Sequence, residues 1–308
     1  MPYQYDCIII GGGIAGLQAA IQLGRYTVHK VLVIDSGYGR STLSRNYHNI
    51  LGFPDGISGP ELRRRGKEQA LKHNIEFVEG KAVKAAKEGD GFVISLESGA
   101  QYTSATLLLA TGLTDRFPPL PGLVETLGLS VYVCPDCDGY EIEGKRTVVM
   151  GSGKAGAHMA LILSARTQEL IYVNHEGTEI PDDLMHSLNE AGIEYIEDPI
   201  REVLTEGDGQ ISGLTLASGR RLDAEQGFIA FGHNHVHSEL AEQLGVDLLH
   251  NKHIETNARS KMTNVEGVWA AGDIGAHSEQ ATVAMGEGNM SAIWIHKTLT
   301  KMKESMKS

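Results

Sequence analysis

Residues 5–16 read YDCIIIGGGIAG, and the order of that stretch decides the fold. An apolar run of this length, rich in β-branched residues and closed by glycines, reads as a short buried strand. Gly11, Gly13 and Gly16 follow at G-x-G-x-x-G spacing. A helix is expected over about residues 14–24, and a second apolar run, 30–35, ends on Asp35. In such a unit Gly11 permits the tight turn, Gly13 lets the backbone approach a pyrophosphate, and Gly16 lets helix and strand pack closely. Ala15 lies in the first turn of the helix, whose free N–H groups suit phosphate. Asp35 is placed to accept from ribose hydroxyls.

The same order returns downstream. Residues 146–150 (RTVVM) lead into Gly151-Ser152-Gly153-Lys154-Ala155-Gly156, a helix to about Arg166, and a strand over 169–174. After each unit the texture changes to short alternating runs, 75–108 and 194–231, which read as antiparallel β-meanders. The fold class is therefore α/β: two dinucleotide-binding, Rossmann-like domains, each with a β-meander. Pro-rich residues 116–122 (RFPPLPG) and polar residues 232–237 (GHNHVH) read as the connections.

Composition narrows the function. The chain has 308 residues and a formal net charge of -12, which argues against a nucleic-acid partner. No apolar run reaches the length of a membrane span. The apolar start, 7–17, follows Asp6 rather than basic residues and reads as strand and turn, not a targeting segment. A cytoplasmic enzyme is expected. Of the three cysteines, Cys7 sits in the first strand and reads as an ordinary buried residue.

The other two form Cys134-Pro135-Asp136-Cys137-Asp138-Gly139-Tyr140. Two intervening residues let the sulfurs reach bonding distance at the start of a helix, where a thiolate is favoured. Asp138 can deliver or accept the proton that dithiol–disulfide exchange requires. Zinc is the competing reading, but a structural zinc wants four ligands and only one such pair exists. His233, His235 and His237 read more simply as a solvated turn, so no metal is expected.

Taken in order, these motifs resemble the low-molecular-weight thioredoxin reductase family. The resemblance rests on Gly11–Gly16, the stretch 49–54 (NILGFP), Ala110-Thr111-Gly112, C-P-D-C-D-G at 134–139, the second glycine turn, Gly232-His233, and Ala271-Gly272-Asp273. It implies a discontinuous FAD domain, 1–115 plus 246–308, and a central NAD(P)-binding-like domain, 116–245, carrying the cysteines. It implies that Asn49, Thr111, Gly112, Gly272, Asp273, Gln280 and Ala281 join Gly11, Gly13, Ala15, Gly16 and Asp35 around FAD. It also implies that Cys137 faces the flavin, that Cys134 exchanges with the partner, and that Asp138 is the acid/base. The partner would be a thioredoxin-like protein or a small-molecule disulfide or dithiol, and the chain a homodimer.

The chain departs from the family in two places. Residues 37–41 (GYGRS) lack the family's Gly-Gly-Gln. The strand end 172–177 (YVNHEG) lacks the basic cluster that holds the 2′-phosphate of NADPH, and Glu176 would repel it. Gly151, Gly153, Lys154, Gly156 and Glu176 are thus the candidate contacts of a nicotinamide nucleotide, with NADH as well as NADPH in view. The alternative is a dithiol oxidase, or a relative that uses oxygen or ferredoxin instead of a pyridine nucleotide.

Overall fold

The computed structural model describes residues 3–305. They form two compact units. One comprises the residues through Thr42, Gly59–Thr114 and those from Val236 onward; the other comprises Leu43–Ser58 and Asp115–His235.

In the first unit strand Tyr5–Ile10 runs parallel to Val31–Asp35 on one side and to Gln101–Leu109 on the other. Its alternation sorts side chains onto two faces, as a pleated strand must. Cys7 and Ile9 join Val31 and Val33 against Ala19, Leu23 and Ile295 of two helices, Ile14–Arg25 and Ala281–Ser305. Ile8 and Ile10 join Leu32 and Ile34 against Phe92 and Ile94. Burial pushes the Cys7 thiol up to about 12, so it is inert packing. Small residues bring the two helices together: a Cβ on Gly288 would lie 2.2 Å from the Ala15 carbonyl oxygen.

Strand Gln101–Leu109 joins the parallel and antiparallel parts of one seven-stranded sheet. Its first half pairs antiparallel with Gly91–Leu96, Phe92 opposite Ser104, and its last residues pair parallel with Val268–Ala270. That second pairing returns the C-terminal segment to the first unit.

The second unit carries a parallel sheet in the order Glu194–Ile196, Leu170–Asn174, Thr147–Gly151, Gln226–Ala230, Val131–Tyr132. A separate antiparallel sheet comprises Ile200–Glu206, Gln210–Leu216 and Arg221–Asp223.

The two meanders are shorter than the sequence suggests. Glu76–Glu79 pairs parallel with Val31–Asp35, and Glu194–Ile196 pairs parallel with Leu170–Asn174. Each extends a parallel sheet instead of starting a meander. The helices before them, Gly59–Leu71 and Asp182–Glu190, supply the crossovers that parallel pairing requires. Alternating burial is common to both pairing senses, so short runs alone do not separate them.

Candidate active site

The first glycine turn is tight on three sides and open on the fourth. Gly11 has φ +113, and a Cβ there would meet the Ala110 carbonyl oxygen at 2.1 Å. A Cβ on Gly12 would lie 2.4 Å from the Asp35 carboxyl carbon, and one on Gly16 would lie 1.9 Å from the Gly11 oxygen. At Gly13 a Cβ would meet nothing within 4 Å. The turn is thus packed from behind and leaves space in front of Gly13, where the helix starts. Asp35 accepts from Arg63 Nη2 at 2.9 Å, while Arg63 Nη1 is buried with no partner. An orphaned guanidinium nitrogen beside an open turn is a donor set awaiting an anionic or hydroxyl-rich ligand.

The sequence also contained a signal for Arg63, which was missed. Gly59, Arg63, Gly66 and Ala70 recur at helical spacing on one face of Gly59–Leu71. The Arg63 side chain is 11% exposed, whereas its neighbours Arg64 and Arg65 are 55% and 56% exposed.

The later motifs come to the same unit. The Thr111 hydroxyl donates to the His237 carbonyl at 2.6 Å, and the His237 N–H donates to the Gly112 carbonyl at 3.0 Å. Gly272 takes φ +80 and packs at Ala15, and its N–H donates to Glu287 Oε2 at 3.1 Å. Glu287 is buried between Lys261 at 2.6 Å and His277 at 2.7 Å. Burial alone would raise its carboxyl, but the bonds from His277 and Lys261 outweigh that and hold it below the usual range. Glu287 in turn raises His277. This buried triad fixes the bend that presents Asp273, yet nothing in the local sequence marks it. Asp273 accepts from Arg40 at 3.3 Å, and Glu279 accepts from the same nitrogen at 2.7 Å. Arg40 belongs to the stretch 37–41 that departs from the family. Gln280 precedes the helix that opens at Ala281, and its carbonyl accepts from the Ala284 N–H at 2.9 Å.

In the second unit Cys134 is the extended residue before a short helix, Pro135–Asp138. Pro135 suits the first helical position because its missing N–H would have no partner there. The turn brings the two free sulfurs to 2.7 Å. Their shared hydrogen bond pushes the Cys134 thiol below its ordinary value, helped by the backbone N–H groups of Cys137 and Asp136. The same bond, followed by burial, pushes Cys137 far up, while a hydrogen bond from Asn49 works in the opposite sense. Asn49, expected around the flavin, therefore lies on the Cys137 sulfur. Asp138 closes the short helix, its N–H donating to the Cys134 carbonyl at 3.1 Å.

The second glycine turn has the spacing of the first with a different backbone and different surroundings. Gly153 is left-handed, at φ +48, and its N–H donates to Asn174 Oδ1 at 3.0 Å. Tyr172, fully buried, donates its hydroxyl to the Gly153 carbonyl at 2.8 Å. Lys154 is exposed on the turn. Glu176 is ion-paired with Arg116. A hydrogen bond from Ser152 and then the Arg116 guanidinium hold its carboxyl low. Arg116, from the Pro-rich connection, is a residue that sequence reasoning missed, because it arrives from a distant segment.

Fold and sites together define a flavin-dependent disulfide oxidoreductase. Residues 5–288 match the family model of pyridine nucleotide-disulphide oxidoreductases, and the chain belongs to that family. It is similar to the thioredoxin reductase of Rickettsia bellii, with 28% identity covering 96% of this chain and 98% of the relative. Among solved structures it is similar to the putative thioredoxin reductase TrxB of Bacillus anthracis, with 27% identity and a TM-score of 0.85, covering 97% of this chain and 99% of that one. It is also similar to the crystal structure of HlmI, with 26% identity and a TM-score of 0.89, covering 98% and 94%. Among the described residues no helix is long and apolar enough to cross a membrane.

Proposed function

We propose that this chain interconverts a dithiol and a disulfide at Cys134 and Cys137, and exchanges them with a thioredoxin-like protein or a small-molecule disulfide. The observation that carries this is a pair of sulfurs 2.7 Å apart, one thiol lowered and the other raised. Cys134 is then the nucleophile. Its thiolate attacks the partner disulfide, one partner sulfur leaves as thiolate, and a mixed disulfide forms on Cys134. Cys137 next attacks Cys134, the second partner sulfur leaves, and the Cys134–Cys137 disulfide closes. Asn49 eases the loss of the Cys137 proton by bonding its sulfur, and Asp138 receives that proton.

FAD supplies the two-electron couple that returns the pair to dithiol. The open Gly13, the unpartnered Arg63 nitrogen beside Asp35, and the braced Gly272-Asp273 bend fit such a dinucleotide. In this reading Gly11, Gly13, Ala15, Gly16 and Asp35 hold its adenosine pyrophosphate side. Thr111, Gly112, Gly272, Asp273, Gln280 and Ala281 hold its flavin side. The working form is a cytoplasmic homodimer.

The test is differential alkylation of the reduced holoprotein with iodoacetamide at neutral pH. Cys134 should be labelled well before Cys137, and Cys137→Ser should retain labelling at Cys134 while losing turnover. Equal labelling of both sulfurs, or undiminished disulfide reduction by Cys137→Ser, would refute the assignment.

A further inference from the structure

The family's description includes a pyridine nucleotide, and the second glycine turn is where one would be expected. Such a turn binds by presenting free N–H groups to a pyrophosphate and an acid to a ribose. Here the Gly153 N–H and the Glu176 carboxylate already have occupants from the same unit. The Gly153 N–H donates to Asn174 Oδ1 in a buried bond of 3.0 Å. Asn174 is itself fully buried, and its amide nitrogen donates to the Thr178 carbonyl at 2.9 Å and to the Tyr195 hydroxyl at 3.0 Å. Ser152 shares a hydrogen bond with the Thr178 hydroxyl at 2.8 Å. Glu176 is held by Arg116 and Ser152.

The space is filled as well as the bonds. A Cβ on Gly153 would lie 2.9 Å from the Thr178 methyl and 3.4 Å from the Glu179 carbonyl oxygen. Gly13, the third residue of the first turn, takes φ -76 instead of Gly153's +48, and a Cβ there would meet nothing within 4 Å. Residues 174–179 therefore pack directly against the Gly153 backbone, on which they place both a hydrogen bond and a methyl group.

We infer that residues 174–179 form an internal plug, latched by Arg116–Glu176, that closes the second glycine turn to nicotinamide dinucleotides. The residues do not fit NADPH or NADH, and the reductant of this flavoprotein enters by another route. The inference stands apart from the cysteine assignment, since it concerns only the turn, its plug and its latch.

Isothermal calorimetry on the FAD-loaded full-length protein tests it, with NADPH and NADH titrated separately. The wild type should give no saturable heat up to about 1 mM nucleotide, the region of negligible affinity. A double variant, Thr178→Gly with Glu176→Gln, removes the covering methyl and the latch from exposed positions while leaving Asn174 in place. It should bind at least one nucleotide about 10-fold more tightly than the wild type, a gain of about 1.4 kcal/mol. Circular dichroism and the retained flavin absorbance verify that the variant is folded. Saturable wild-type binding below about 100 μM would overturn the inference outright. Silence in both proteins, with the variant folded, would overturn the assignment of closure to the plug.

Discussion

Gly11–Gly16 and Gly151–Gly156 carry the same spacing between the same elements, yet one turn is open and the other is filled. The difference begins where the second strand of each unit ends. Asp35 is a carboxylate: it backs onto Gly12, takes Arg63, and leaves the front of Gly13 clear. Asn174 is a neutral amide with both an acceptor and a donor. Its oxygen takes the Gly153 N–H, and its nitrogen ties down the following segment at Thr178. The same glycine spacing thus takes two backbone paths, left-handed at Gly11 in one and at Gly153 in the other, and the residue ending the next strand separates a turn that faces open space from one that faces its own chain.

The largest expected effect is at Gly13. Its φ of -76 and extended ψ suit any residue, and a Cβ there collides with nothing. Gly13→Val should therefore fold normally and fill only the ligand's space. FAD affinity should fall at least about 100-fold, or roughly 2.7 kcal/mol, with an unchanged far-ultraviolet spectrum. Retained flavin after gel filtration would mean that the open turn is not the cofactor's seat.

Gly156 offers the counterpart in the closed turn. A Cβ there would lie 2.3 Å from the buried Tyr172 ring. Gly156→Ala should cost about 1–3 kcal/mol through overpacking, independent of any nucleotide. Chemical denaturation followed with and without NADPH should show that loss unchanged by the nucleotide. A loss that NADPH restores would reopen the second turn as a binding site.

The latch carries the smallest effect. Glu176 and Arg116 are both about a third exposed, so solvent screens their pairing, and removing it should cost no more than about 1 kcal/mol of stability. Because the folded state holds the Glu176 carboxyl below its ordinary value, this contribution is complete above about pH 4.3, the unfolded value. It is lost as pH falls through the folded value. The wild type minus Glu176→Gln difference in stability should therefore shrink on acidification. A difference that grows toward low pH would mean that Glu176 is not paired.

Much of this was legible beforehand, for identifiable reasons. Gly11, Gly12 and Gly16 are required by backbone and side-chain approaches shorter than any Cβ allows, so the glycines themselves announce the turn. The cysteines announce their own proximity, because two residues at a helix start leave the sulfurs little choice. Strand Glu76–Glu79 pairs parallel at the far edge of the same sheet instead of within the antiparallel meander, a difference that alternation, shared by both pairing senses, does not reveal. The contact of Asn49 with the Cys137 sulfur is not legible from spacing, because 88 residues separate the two.

Sequence alone was enough for two β-turn-α-β units, the burial of their strands, and the proximity of Cys134 and Cys137, because each depends on residues a few positions apart. It took the folded chain to show that Arg63 meets Asp35, that Lys261, His277 and Glu287 brace Gly272, and that Arg116 reaches Glu176. Each of those joins different secondary-structure elements or loops, and a charged side chain finds its partner by where the fold delivers it, which local pattern does not encode.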